Sequence, residues 1–232
     1  MVKKLGFLKE REITTFKLGI TSRNIESLLG QSLKPMICLM VDSEQEFWYY
    51  QKKYKMDDVH VSREPNNPLG AKWQSGVRMY WDANPLIITG SDDILGDGFI
   101  ENACRLVEQG NHFIGLRRWW QHKDGKAYHC QYLAKNNFPL GGGRVYSAEM
   151  LKAMNYQVFD PTKDKHLDDL GFYNAKKTGL KMLILDNPEK EGLSIHAIKG
   201  DWEVMNPFTI KHPNIRLIAT DKSERVLPNF KF

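Results

Sequence analysis

Two adjacent carboxylates follow a short apolar run in the first half of the chain. The run Leu86-Ile87-Ile88 predicts a buried strand, and the segment Thr89-Gly90-Ser91-Asp92-Asp93 follows it directly. Carboxyl ends of parallel strands in an α/β fold lie at the edge where ligands bind. Hard divalent cations such as Mg²⁺ and Mn²⁺ bind carboxylate oxygens together with substrate phosphate. The segment therefore predicts a metal-diphosphate site, with a solvated turn in which Asp97 caps the next helix as the alternative.

Three segments of the second half also carry residues that are able to do chemistry. Leu167-Asp168-Asp169-Leu170 places two acids where a helix is expected to begin, which N-capping and the helix dipole also explain. Leu193 to Gly200 contains His196 and, three residues later, Lys199. Gly141-Gly142-Gly143 matches neither a Walker loop nor a dinucleotide fingerprint, so it predicts either a close approach of backbone to a ligand or a flexible turn.

A mixed basic and aromatic cluster lies between the acidic segment at 89–93 and these three segments. Arg117-Arg118-Trp119-Trp120 is followed by Gln121-His122-Lys123. Such a combination is able to bind sugar rings or a nucleic-acid backbone and its bases. The alternative is a strand whose tryptophans pack under a sheet while the cationic groups reach water. The cluster is the candidate acceptor-binding surface.

The elements that must position these residues follow from the hydrophobic pattern. In the first half, predicted strands alternate with predicted helices: the strands cover 13–21, 36–41, 59–61 and 85–90, and the helices cover 22–29, 47–54, 71–81 and 99–107. From residue 111 onward the expected strands at 112–121, 126–135 and 180–185 are longer or wetter, with a hairpin turn at Asp124-Gly125. The pattern predicts an α/β, Rossmann-like fold with a mostly parallel central sheet, helices on both faces and a mixed second half.

The order of the motifs resembles that of GT-A fold glycosyltransferases, in particular compact enzymes of phage type. Asp92-Asp93 match the acidic motif that ends a core strand in that family. Thr21-Ser22-Arg23-Asn24, Asp42 and the segment 67–76 also resemble family positions, and the match covers roughly residues 12–200. The resemblance implies one domain over 1–232, with a nucleotide-binding half at 12–110 and an acceptor-binding half and C-terminal tail at 111–232.

The resemblance implies a role for each residue on the donor side. Thr21 and Asp42 are expected beside the base of a nucleotide sugar, a UDP-sugar by preference, with Lys72 near the base or ribose. Asp92 is expected at the ribose or the metal, and Asp93 is expected to bind Mn²⁺ or Mg²⁺.

The resemblance implies further roles at the reacting end. Asp169, or Asp168 beside it, is the expected general base for the acceptor hydroxyl. His196 is expected to complete the metal site, and Lys199 is expected to neutralise the leaving diphosphate. A late His followed by Lys is found in retaining relatives and an acidic helix start in inverting ones, so the stereochemistry stays open.

Composition restricts the acceptor and the compartment only weakly. The chain has 232 residues, a net charge of +5 and three widely spaced cysteines, which favours a reducing cytoplasm and anionic partners. No apolar run reaches the ~20 residues of a membrane span. The best prediction for the acceptor is a hydroxymethylated base in DNA, with a polysaccharide or small molecule as the alternative. Two alternatives from other functional classes are a nucleotidyltransferase and a non-catalytic nucleic-acid-binding protein.

Overall fold

A computed structural model describes residues 21–55, 58–133, 135–199, 210 and 213–227. Of the predicted first strand at 13–21, residues 13–20 lie outside these ranges, and Thr21 is helical rather than extended. The helices are α1 (21–29), α2 (Glu44–Lys53), α3 (Leu69–Met79), α4 (Phe99–Glu108), α5 (Ala148–Ala153), α6 (Leu167–Lys177) and α7 (Ser223–Val226). The strands are β1 (Ile37–Val41), β2 (Val59–Arg63), β3 (Leu86–Ile88), β4 (Asp93–Leu95), β5 (Phe113–Leu116), β6 (Arg118–Lys123), β7 (Lys126–Tyr132), β8 (Arg144–Tyr146), β9 (Met182–Leu185), β10 (Ile195–Ile198) and β11 (Ile215–Lys222).

The first half forms the expected alternation of strands and helices. β1 and β2 are parallel, with Ile37 opposite Val59, and α2 connects them. α2 begins in a capping box, because the Ser43 hydroxyl accepts from the backbone N–H of Glu46 and the Glu46 carboxylate accepts from that of Ser43. The α/β class predicted from the sequence is confirmed.

The sheets are more mixed than the expected parallel arrangement. Among the described strands, β8 lies antiparallel between β3 and β5, and β5 runs parallel to β9. A second sheet has the order β11-β7-β6-β10-β4, in which β6 and β10 are parallel and the other neighbours are antiparallel. The hairpin of β6 and β7 turns at Asp124 and Gly125, both with positive φ, as the sequence predicted.

The predicted strand at 112–121 is divided at Arg117. The backbone N–H of Arg117 donates to the carbonyl of Leu185, whereas its carbonyl accepts from Tyr132. At Arg117 the chain therefore leaves the sheet that contains β5 and β9 and enters the sheet that contains β6 and β7. The direction of every side chain in β6 is therefore set by pairing with β10 and β7.

Both halves of the sequence contribute to one core. Ile25 of α1, Phe99 of α4 and Ile195 of β10 belong to the same cluster of buried apolar side chains. β4, from the first half, pairs with β10, from the second, with Asp93 opposite Ala197. The acidic segment is thus held between elements far apart in sequence.

Candidate functional site

The acidic turn after β3 is held in place by its own backbone and by α1. The backbone N–H of Gly90 donates to Asp93 Oδ2 at 2.9 Å. The side-chain amide of the buried Asn24 donates to the carbonyls of Gly90, at 3.1 Å, and of Asp93. A Cβ on Gly90 would lie 2.9 Å from Asp93 Oδ2 and 3.0 Å from Asp92 Oδ1, so both carboxylates flank this glycine. The turn therefore presents two carboxylates side by side.

The electrostatics of the two acids differ. Asp92 Oδ2 accepts a hydrogen bond from the ammonium group of Lys199, the two atoms lying 2.6 Å apart, and the side chain of Lys199 is 8% exposed. Burial and the neighbouring Asp92 carboxylate raise the pKa of Asp93 to about 7, although Lys199 and the Gly90 N–H act in the opposite direction. A cation beside Asp93 would reverse that shift, since it favours the ionised carboxylate.

The glycine loop before β8 lies between two acids. A Cβ on Gly142 would stand 2.6 Å from Asp93 Oδ2, and one on Gly141 would stand 2.9 Å from Asp168 Oδ2. Consecutive Cα atoms are 3.80 Å apart, so the carboxylates of Asp93 and Asp168 are at most about 12 Å apart. The glycines thus let the loop backbone pass close to both carboxylates.

A buried guanidinium joins this loop to the start of α6. Arg144 is 1% exposed, and its Nη2 lies 3.0 Å from Asp168 Oδ2. Its remaining donors bond the carbonyls of Pro139, Leu140 and Asp168. Because a buried charge needs such compensation, Arg144 fixes the position of the loop relative to Asp168. No sequence pattern indicates this role of Arg144, because the role depends on contacts that form only in the folded protein.

The two acids that begin α6 occupy different positions. Asp168 lines the cleft. Asp169, the preferred base from the sequence, is not among the lining residues, and its side chain is 44% exposed beside His166. Burial and the neighbouring Asp168 raise the pKa of Asp169. The order of preference expected from the sequence is therefore reversed by position, since Asp168 is the acid that faces the cleft.

The cleft that contains these residues has a volume of about 650 Å³. Its floor is formed by side chains of β4, β10 and β6, including Asp93, Ala197 and Gln121. Aromatic walls come from Trp73, Phe159 and Trp119. Residues 164–168, called the rim below, also line the cleft, and the Asp164 carboxylate accepts from the backbone N–H of Leu69 at 2.8 Å, which ties this rim to the start of α3.

His196 lies on the other face of the sheet. Its neighbours in β10, Ile195 and Ala197, line the cleft, and adjacent residues of a strand point to opposite faces. Its ring nitrogens lie 3.1 Å from His122 Nε2 and 3.3 Å from Ser194 Oγ. Burial lowers the pKa of His196 to about 4 and that of His122 to about 3, so both rings are neutral at pH 7. The structure therefore does not bring His196 to Asp93 as the predicted metal site required.

The predicted acceptor cluster is divided in the same way. Only Trp119 of its four residues lines the cleft. Trp120, on the opposite face of β6, stacks on His129 with ring centroids 4.4 Å apart. Arg118 shares that face, where its charge lowers the pKa of Glu189 after the larger effect of His129. Arg117 is used to brace the fold, since its guanidinium lies 3.1 Å from Asp186 and bonds the carbonyl of Tyr132.

None of the three residues expected at the nucleotide base is among the residues that line the cleft. Thr21 hydrogen-bonds the side chain of Tyr50. Asp42, at the end of β1, accepts from the amide of Asn66 at 2.7 Å. Burial lowers the pKa of Lys72, and the Asp42 carboxylate opposes that change, which shows that Asp42 and Lys72 are neighbours. These two form a polar group at the carboxyl end of β1.

Among the residues that the structure describes, side chains do not form a complete metal site. No group of three or more His, Cys, Asp or Glu residues there is arranged around a common point. This is compatible with a hard cation that one or two carboxylates share with substrate phosphate. None of the helices seen in the described ranges has the length and apolar character needed to cross a membrane.

Comparison with known proteins identifies the fold. No protein-family profile matches the chain, and no curated protein does. Among solved structures, the chain is similar to GalNAc-T7, whose crystal structure contains UDP, GalNAc and Mn²⁺, with a TM-score of 0.60 and 13% sequence identity. The likeness covers 83% of this chain and 43% of that one, so this chain spans less than half the length of its structural neighbour. At this level of identity the comparison shows that the fold is of the GT-A glycosyltransferase type.

Proposed function

We propose that the protein is a metal-dependent glycosyltransferase, which uses a nucleotide sugar, a UDP-sugar by preference, and transfers the sugar to a hydroxyl group. The observation that carries the proposal is the arrangement of Asp92, Asp93 and Lys199 across a glycine loop from Asp168, in one cleft. The likeness to a structure that holds UDP and Mn²⁺ supports the choice of donor and cofactor.

The acidic turn fits a divalent cation such as Mn²⁺ or Mg²⁺. Asp92 and Asp93 present oxygens on either side of Gly90, and only the absence of a side chain at Gly90 leaves this space open. Burial and the Asp92 carboxylate raise the pKa of Asp93 despite the opposing charge of Lys199, and a cation at this position would favour the ionised carboxylate. A bound cation would stabilise the negative charge that develops on the diphosphate. Asp93 is its proposed ligand, and Asp92 orients Lys199 toward the same diphosphate.

The reaction then needs one bond exchange and one proton transfer. The acceptor oxygen forms a bond to the anomeric carbon as the bond from that carbon to the diphosphate oxygen breaks, and the nucleoside diphosphate leaves. Lys199 stabilises the leaving charge. The acceptor proton passes to a carboxylate at the start of α6, and Asp168 is the proposed base because it faces the cleft, with Asp169 next to it.

The nucleoside is proposed to bind toward Asp42 and Lys72. Both lie near the carboxyl end of β1, the side on which α/β folds bind nucleotides. Asp42 offers a carboxylate to an N–H of the base, and Lys72 lies beside it. Thr21 belongs to the same end of the first half, although its side chain bonds Tyr50.

A donor screen tests the proposed function. Purified protein is incubated with UDP-, GDP- and CMP-sugars, with Mn²⁺, Mg²⁺ or EDTA, and release of nucleotide is measured together with the thermal shift. We expect release and stabilisation with a UDP-sugar and Mn²⁺, and loss of both in Asp93→Asn. Lack of any nucleotide effect in the presence of metal would overturn the proposal.

The acceptor predicted from the sequence is a hydroxymethylated base in DNA, on the basis of the small size of the chain, its net charge of +5, the lack of an apolar run long enough to span a membrane and the arginine and tryptophan cluster at 117–120. A base in a duplex must leave the stack to react. The arginines expected to hold the DNA backbone do not line the cleft, so this acceptor is kept only as an arm of the acceptor test below.

A further inference from the structure

The side chains that line the cleft indicate what kind of acceptor it binds, provided that the proposed function holds. The acceptor side is defined here as the part of the cleft lined by Trp119, the glycine loop and the rim at 164–168.

The charges that line this cleft do not favour a polyanion. Asp164 and Asp168 lie on the acceptor side together with Lys165 and His166. The second lysine of the cleft, Lys199, is already bonded to Asp92 at the donor end. Acidic side chains thus equal or exceed the cationic ones along the lining, and a polyanion needs an excess of cationic contacts.

The surface between the acids is aromatic. Trp119 lies on the cleft face of β6, in register with Ile195 of β10, whose side chain adjoins Gly142. From the spacing of strands and residues, the Cα of Trp119 is about 12 Å from that of Asp93. Both side chains line the same cleft. Two further aromatic side chains of the cleft, Trp73 and Phe159, pack on each other with ring centroids 5.4 Å apart.

A neutral saccharide matches this combination. A pyranose ring has an apolar face of C–H groups, which packs on an aromatic ring, and an edge of hydroxyl groups, which donate to carboxylates. Trp119 offers the aromatic face, and Asp164 and Asp168 offer acceptors at the rim. We infer that the acceptor is a neutral saccharide that stacks on Trp119, with its attacking hydroxyl directed to Asp168.

The test compares acceptors and then compares two adjacent tryptophans. Full-length protein with Mn²⁺ and the UDP-sugar found in the donor screen is offered p-nitrophenyl glycosides, lactose and maltose, and separately a DNA duplex that contains 5-hydroxymethylcytosine. Transfer is measured by mass spectrometry, and hydrolysis of the donor without acceptor is measured in parallel. We expect transfer to at least one neutral saccharide and none to the duplex.

Trp119→Ala should raise the KM for the saccharide at least tenfold. Trp120→Ala is the matched control, because Trp120 faces the other side of the same strand, and it should leave the saccharide KM unchanged. Trp119→Phe keeps an aromatic ring and the packing of β6, so it should restore most of the affinity if Trp119→Ala folds poorly.

Two outcomes separate the failures. Donor hydrolysis accompanied by transfer to the duplex in preference to every saccharide, or an unchanged saccharide KM in a folded Trp119→Ala, would overturn this inference alone. Absence of nucleotide release with every donor would overturn the proposed function and the inference together.

Discussion

Replacing Gly142 by alanine tests whether the position of Asp93 matters for catalysis. The new Cβ would stand 2.6 Å from Asp93 Oδ2 and 3.1 Å from Ile195 Cδ1, whereas ordinary contacts begin at 3.4 Å. Asp93 must therefore recede by about 0.8 Å, whereas a metal site tolerates only about 0.2 Å in its ligand distances. A displacement of about 1 Å near the reacting centre costs on the order of 100-fold in rate. We expect a comparable loss in kcat/KM, equivalent to about 2.7 kcal/mol, and weaker Mn²⁺ dependence.

The fold should survive this change. Gly142, unlike Gly143, is not among the glycines with positive φ, so alanine meets no backbone strain there. Gly76→Ala is the matched control. Gly76 lies in α3, and a Cβ added there would lie 3.2 Å from the flexible side chain of Met40. Nucleotide release is measured over a Mn²⁺ titration, with thermal melting for both variants. A Gly142→Ala protein that melts normally and keeps wild-type turnover and Mn²⁺ affinity would refute the argument.

Three further predictions follow from the two faces of the same sheet. His196→Asn should keep Mn²⁺-dependent nucleotide release, because His196 does not line the cleft, but it should cost about 1–3 kcal/mol in denaturant unfolding through its lost hydrogen bonds. For Asp93→Asn, the free energy of unfolding should fall as pH drops from 6.5 toward 4, because unfolded imidazoles protonate first whereas folded His122 and His196 have pKa values of about 3 and 4; a flat profile of this variant would contradict the neutral pair. Wild type should show a shallower fall, because the Asp93 carboxyl, whose pKa folding raises from 3.8 to about 7, acts in the opposite direction over this window. Asp93→Asn should also abolish metal-dependent release yet stabilise the metal-free protein at pH 8 by up to about 4 kcal/mol, because it removes a carboxylate that is costly to ionise in the folded protein; equal unfolding curves for both proteins in EDTA at pH 8 would show that Asp93 carries no such penalty.

The sequence predicted where the site residues lie along the chain better than it predicted the direction of their side chains. Asp42 and Asp93 were expected at strand ends, and the structure places Asp42 directly after β1 and Asp93 at the start of β4, just beyond β3. Apolar runs and caps are local signals, so the bounds of β1, β3, α4 and α6 lie within a few residues of expectation.

What the sequence could not give was decided by register. Arg118, Trp119 and Trp120 are consecutive, so the alternation of a strand must separate them, but only the pairing of β6 with β10 determines which of them faces the cleft. The side chain of His196 points away from the cleft for the same reason, since its neighbours in β10 point into the cleft. Arg144 gave no local signal, because its role depends on Asp168, which a helix and a loop separate from it along the chain.

The pairing of β4 with β10 has a consequence for how the protein folds. Asp93 acquires its partner strand only when a segment roughly 100 residues further along the chain is in place, and such distant closures slow folding. A polypeptide cut at residue 110 would expose β4 as an unpaired edge and would lack Lys199. Nucleotide affinity should therefore disappear in the same denaturant transition as the tertiary structure, and the N-terminal half should not act as an independent nucleotide-binding unit.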